Sequence, residues 1–194
     1  DLYFAFLGFA LATVITPGPN NLMLMASGAN FGLRRTLPHM LGIAIGFGVM
    51  VGLVGAGLLA VFDRLPALET VMKGLSVVFL LWLAWKIAHA AAPGTGADRG
   101  RPLTFVEAAA FQWVNPKAWA MALSAVAAYA PDRTLVAVGL LGATYCAMAL
   151  GTGTVWMALG KQLRRWLTNP ARLKAFNWTM AGLIVATLLP VLFA

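Results

Sequence analysis

Residues 2–33 read LYFAFLGFALATVITPGPNNLMLMASGANFGL, without a single Asp, Glu, Lys or Arg. A helix needs about 20 predominantly apolar residues to cross the hydrocarbon layer of a bilayer, and this run is longer than that. Three further stretches, 36–62, 134–160 and 175–194, are equally free of charge. In water, helices this apolar would have no face to turn to solvent. The whole chain of 194 residues is 61% hydrophobic and 10% charged, too little charge to cover a soluble domain of that length. The sequence therefore describes an all-α, polytopic membrane protein. Its first run is too long for a signal-peptide core and has no basic residue before it. Because the chain opens on Asp1, a few native residues are expected to precede it.

Apolar runs and their punctuation place six transmembrane helices at roughly 2–29, 38–62, 67–90, 104–130, 134–160 and 175–194. The third carries Glu69, Lys73 and Lys86. Glu69 and Lys73 are spaced to pair or to snorkel at one end, and Lys86 and His89 at the other, beside Trp82 and Trp85. The connections after the first, third and fifth spans hold ten of the basic residues, among them Arg34, Arg99, Arg101 and Arg164. The opposite side holds three: Arg64, Lys73 and Arg133. Cytoplasmic loops carry the excess of Lys and Arg, so both termini are expected to be periplasmic. The net charge of +8 is thus topological. It forms no continuous basic face interleaved with exposed aromatics, which excludes nucleic acid as a partner. One cysteine, Cys146, leaves no intrachain disulfide and no cysteine metal cluster.

The Gly- and Pro-rich segment 92–102 divides a single transmembrane domain, 1–194, into halves 1–91 and 103–194 joined by a cytoplasmic loop. With three spans per half, the second half enters the membrane from the opposite side. That is the geometry of two inverted three-helix repeats.

The first and fourth spans are broken. Thr16-Pro17-Gly18-Pro19-Asn20-Asn21 puts two prolines and a glycine in the middle of an uncharged run, and each proline removes a backbone donor and clashes with the preceding turn. At helical rise, roughly 22 Å of helix precedes the break and 15 Å follows it, which sets it well inside the bilayer. Gln112-Trp113-Val114-Asn115-Pro116-Lys117 is the counterpart. Asn is a strong helix N-cap and Pro is favoured at the first helical position, so Asn115-Pro116 starts a new half-helix. Irregular backbone at such depth is tolerated only where protein buries it or a cavity hydrates it. In an inverted arrangement both half-helix N-termini face the membrane centre, with free N–H groups and positive dipole ends suited to a carboxylate. A single proline kink more often shapes a helix than binds anything; two in corresponding places point to a substrate path.

Intramembrane ionisable residues are functional candidates by default. Lys117 and Glu107 are therefore the proton-coupling candidates, with Lys117 also placed to meet a carboxylate. Glu107 lies in the first turn of its helix, where capping is the competing role, and Lys117 could instead snorkel along a cavity. The second span has GxxxG spacing at Gly42/Gly46 and Gly48/Gly52, and the fifth carries Gly139, Gly142, Gly151 and Gly153. Such surfaces suit close helix packing. His39, beside Pro38 at a loop–helix boundary, reads as interfacial.

Thr16-Pro-Gly-Pro-Asn20, followed by Asn115-Pro-Lys-Ala118 in the fourth span, resembles the LysE/RhtB family of amino-acid exporters over nearly the whole chain. The family's signature positions fall on Pro17, Gly18, Pro19, Asn20, Asn115, Pro116 and Lys117. The resemblance implies efflux driven by proton motive force in a bacterial inner membrane, with substrates among lysine, arginine, threonine, homoserine, leucine and cysteine. Thr16, the signature positions and Gln112 are then the expected substrate-binding residues. Residues 108–114, with Gln112, are similar to the cysteine and O-acetylserine branch more than to the lysine branch. The lack of a conspicuous intramembrane carboxylate also argues against a dibasic substrate. One departure is Gly74-Leu-Ser-Val-Val-Phe-Leu-Leu-Trp82, where many members have a Gly-, Ala- and Tyr-rich stretch. The implied partners are a small amino acid, protons and the lipid bilayer, with no cofactor, and the oligomeric state stays open between monomer and homodimer. The rival readings are a membrane channel and a membrane-embedded enzyme. Against the enzyme, no HExxH, GxSxG or cluster of His and Asp is present.

Overall fold

The structure, a computed structural model, describes residues 2–58, 64–65, 67–90 and 100–189. Arg99, most of the 92–102 segment and the end of the last span lie outside them, as does the side chain of Glu69. The described residues are all-helical, without a strand, and form eight α-helices. These are α1 (Leu2–Ile15), α2 (Pro19–Phe31), α3 (Leu33–Leu53), α4 (Ala67–Ala88), α5 (Phe105–Gln112), α6 (Pro116–Tyr129), α7 (Leu135–Leu163) and α8 (Pro170–Ala186). Helix α3 runs on through a π-turn, Val54–Leu58, whose Gly57 leaves helical geometry.

Three helices, Leu33–Leu58, Thr70–Ala88 and Leu135–Leu163, are long and apolar enough to cross a membrane, and α1 with α2, bent by 53° at their break, passes the same test as a pair. Large apolar side chains such as Val78, Leu135 and Val136 are strongly exposed. In water that surface would be an aggregation hazard; against lipid tails it is matched. This is a multi-pass membrane protein.

Helix boundaries differ from the charge-based reading in two places. The second span begins at Leu33, not at 38, and takes Arg34, Arg35 and Pro38 into its first turns. Gly32, at φ 79°, makes the tight turn from α2, a left-handed conformation that a side chain would strain. The last helix begins at Pro170, with Asn169 as N-cap bonding Ala171 N at 2.8 Å, so Arg172 and Lys174 are helical. A positive-φ glycine sets the first of these starts and an Asn cap the second; charge sets neither. One reading is corrected as a result. His39 is not at a loop–helix boundary: it lies inside α3 and only 2% of it is exposed.

Helices α3 and α7 pack at the centre, with α2 against α7, α3 against α5, and α4 against α8. One cluster of buried residues joins α1, α3, α6 and α7 around Tyr145, whose ring meets Phe6 edge-on at 5.2 Å and Phe47 at 4.9 Å. A second cluster joins α2, α3, α4, α5, α8 and, through Met157, α7. The small residues explain how closely the helices approach. A Cβ on Gly48 would sit 2.8 Å from the Gly142 carbonyl, and one on Gly46 would sit 2.7 Å from Ala109 Cα. Gly52, Gly139 and Gly151 face open space, so only part of the glycine pattern is packing.

Candidate functional site

Helix α1 stops at Ile15 because the next residues cannot continue it. Thr16 and Gly18 each precede a proline, which disfavours helical backbone, and Gly18 is fully extended at φ −173° and ψ 177°. Helix α2 restarts on Pro19 with no side-chain cap. Its counterpart is better finished. After Gln112 the chain turns through Trp113 and Val114, Asn115 takes extended backbone, and its Oδ1 accepts from Lys117 N at 3.1 Å.

The break leaves the last carbonyls of α1 without helical partners, and three side chains from elsewhere satisfy them. Asn21 Nδ2 donates to Val14 O at 2.7 Å and to Thr16 O at 2.9 Å. Trp156 Nε1 reaches Ile15 O at 3.3 Å. Lys117 Nζ donates to both Thr16 O and Thr16 Oγ1 at 2.8 Å. A cation at a helix C-terminus also meets the negative end of the dipole. Lys117 thus reaches from the start of α6 to the end of α1. Gly18 makes room for it: a Cβ there would lie 2.8 Å from Lys117 Cδ.

A second tie joins the breaks directly. Asn20 Nδ2 donates to Gln112 Oε1 at 2.8 Å, and Gln112 Nε2 returns a bond to Asn20 Oδ1 at 3.1 Å and a further one to Ala108 O. Gln112 is fully buried and Asn115 is 1% exposed. Buried amides in that position have to be paired: Gln112 pairs with Asn20, and Asn115 Oδ1 is taken up by the Lys117 N–H.

The starts of α2 and α6 border one cavity of about 40 Å³. Its polar lining is Thr13, Asn20, Asn21, Asn115, Lys117 and Thr152, and Phe47 and Met121 contribute apolar wall. Of the residues expected from the sequence, Gly18, Asn20, Asn115 and Lys117 line it. Thr16 and Gln112 touch the lining through the bonds above, and Pro17, Pro19 and Pro116 shape the two turns. Glu107 is not among them. Its carboxylate accepts two 2.6 Å bonds from Arg101 and one of 2.7 Å from Thr104 N, closing a capping box with Thr104.

Thr13, Asn21 and Thr152 are the lining residues that the sequence reading passed over. Thr13 could have been found, since it lies one turn before Thr16 on α1. Thr152 carries no local signal beyond a hydroxyl between two glycines. Among the described residues, no group of three or more His, Cys, Asp or Glu side chains comes together to hold a metal.

Comparison with known proteins bears on what such a site does. A family model described as "LysE type translocator" matches residues 11–193. The chain is 31% identical over 184 residues to a protein of Klebsiella pneumoniae named cysteine/O-acetylserine efflux protein, covering 93% of this chain and 92% of that one. Proteins of the same name in Salmonella typhimurium and Escherichia coli are 32% and 31% identical, each over 82% of both chains. No solved structure matches.

Proposed function

Because the chain belongs to the LysE type translocator family, we propose that it exports a small neutral amino acid of the cysteine or O-acetylserine kind, coupled to protons, across a bacterial inner membrane. Membership of a translocator family answers the enzyme alternative. The choice of substrate rests on the printed names of relatives that cover most of the chain, and on the absence of a carboxylate from the cavity lining.

The observation that carries the reading is Lys117, whose ammonium crosses from the α6 start to the α1 end at the rim of the cavity. In this state Thr16 occupies it. A substrate carboxylate, entering beside the α2 start, whose N–H groups have no side-chain cap, competes with the Thr16 carbonyl for the same ammonium. Taking Lys117 from α1 would release the end of one broken span when substrate arrives. Asn20 and Gln112, paired across the two breaks, orient the remaining polar groups. Lys117 is also the proposed carrier of the coupled proton, the alternative to a pure carboxylate clamp. For Glu107 the geometry favours anchoring the α5 start through Arg101 and Thr104.

The architecture we propose has six spans in two inverted repeats, with both termini periplasmic. It is supported by the way α3 packs on α7 and α4 on α8, pairings that a two-fold relation between the halves maps onto themselves. The test is export itself. Overproduction is expected to raise tolerance to a toxic small neutral or sulfur-containing amino acid. Purified protein in liposomes is expected to exchange labelled O-acetyl-L-serine and to move it uphill when a proton gradient is imposed. A passive channel would equilibrate the label without either. Unchanged intracellular accumulation across a broad amino-acid panel, with the protein inserted, would refute the reading.

A further inference from the structure

A second cavity, also of about 40 Å³, lies further along α2 toward its C-terminal end. Its lining includes Ser27, Asn30, His39, Lys86 and Arg101. Helices α2 and α3 border both cavities. Asn20 and Leu24 face the first where Ser27 and Asn30 face the second, and Ile43 faces the first one turn after His39 faces the second. The two cavities are therefore successive stations along the same pair of helices.

Most polar groups here are already engaged. Ser27 Oγ and Thr36 Oγ1 share a 2.8 Å bond. Asn30 and Asn177 exchange amide bonds of 2.8 and 3.2 Å, and Asn30 also donates to Ala26 O. Arg101 is held by Glu107. Two groups stand out against that pattern. His39 is buried to 2% exposure, yet neither of its ring nitrogens has a hydrogen-bond partner among the described residues. Lys86 holds its ammonium 5.1 Å from the centre of the Trp82 ring, at the edge of the same cavity. Buried polar groups are rarely left unmatched, and such exceptions call for a ligand or a function.

We propose that this cavity is a second binding site, separate from the one at the helix breaks, for the carboxylate of a free α-amino acid held by Lys86 and His39. A neutral imidazole offers one N–H donor and one acceptor nitrogen. The donor and the Lys86 ammonium suit the two oxygens of one carboxylate, whereas a halide offers both a single centre. The cavity lies at the membrane side that the Lys and Arg count assigns to the cytoplasm, so it would load substrate before transfer to Lys117. The proposal rests on the exporter reading for the choice of an amino acid.

The chain has two histidines. His89 is exposed, with Nδ1 2.8 Å from Trp85 O, so His89→Gln leaves His39 as the sole histidine resonance in an isotope-labelled full chain in bilayers. Titration with O-acetyl-L-serine is expected to shift that resonance saturably. Its methyl ester and sodium chloride are expected to need about tenfold higher concentrations or more, as is O-acetyl-L-serine on Lys86→Met, the loss of one charge-assisted bond. Lys117→Met is expected to leave this titration unchanged. No shift at saturation, an equal response to chloride, or abolition by Lys117→Met would overturn the proposal. If Lys86→Met does not give a single gel-filtration peak, the ester and chloride arms decide. Counterflow without a His39 shift overturns this site alone; a His39 shift without counterflow overturns the exporter reading instead.

Discussion

Replacing Lys117 with methionine removes the ammonium but keeps most of the side-chain volume. In the structure that ammonium makes two 2.8 Å bonds, both to Thr16. A hydrogen bond to a charged group contributes about 1.5–3 kcal/mol. If Lys117 were idle before substrate arrived, losing its bond to a carboxylate would weaken binding roughly ten- to hundredfold. It is not idle. Binding exchanges a carbonyl and a hydroxyl for a carboxylate, so only the difference is felt, and the expected effect is near the low end, about 1.5 kcal/mol or roughly tenfold. Stability should change less, because Thr16 is exposed and water can replace the lost donor. Equilibrium binding of labelled O-acetyl-L-serine to purified protein reads the first quantity, and a thermal melt reads the second. A carboxyl-esterified analogue should be nearly indifferent to the substitution. Export across a range of pH then separates the two roles of the residue. A clamp predicts raised apparent KM with coupling intact, and a proton carrier predicts lost uphill export with counterflow preserved. Binding within twofold of the unmodified protein, together with normal export, would refute both roles and leave Lys117 as a residue that only caps α1.

The amide pair across the breaks should couple energetically. Asn20→Leu strands the buried Gln112 amide and Gln112→Leu the half-buried Asn20 amide, at about 1–3 kcal/mol for the first and less for the second; the double variant should be clearly more stable than the sum, and strict additivity in thermal melts would contradict the pairing. Gly142→Ala forces a methyl against the Gly48 backbone and should lower stability by about 1–3 kcal/mol. Gly139→Ala on the same helix meets nothing within 4 Å and serves as the control, so equal losses from both would show that α3 and α7 do not meet as described. A cysteine at position 164, on a Cys146→Ser background, should resist an impermeant thiol reagent added outside intact cells. Labelling there would reverse the proposed orientation.

How much could be read without coordinates varies from element to element. The two breaks were fully legible, because proline and glycine act through their own backbone and need no neighbour. The N-cap at Asn115 follows from the same local chemistry. Helix starts at Leu33 and Pro170 were misjudged because uncharged runs were used as their bounds. Capping and turn residues set those ends, and Arg or Lys in a first turn can reach the interface. His39 was misplaced for the same reason: a helix starting five residues earlier carries it inward.

The sequence by itself determined that the chain is helical and lives in a bilayer, because unbroken apolar length admits no other satisfaction of backbone hydrogen bonds. It also determined that the helices are interrupted at Thr16–Gly18 and before Pro116. What occupies the interruptions was decided only by the tertiary structure. The Lys117 ammonium lies 101 positions from the Thr16 carbonyl it caps, and Gln112 lies 92 from Asn20. Nothing in local propensity encodes such partners, because a side chain's hydrogen bond depends on which helices the packing of α3 on α7 brings together.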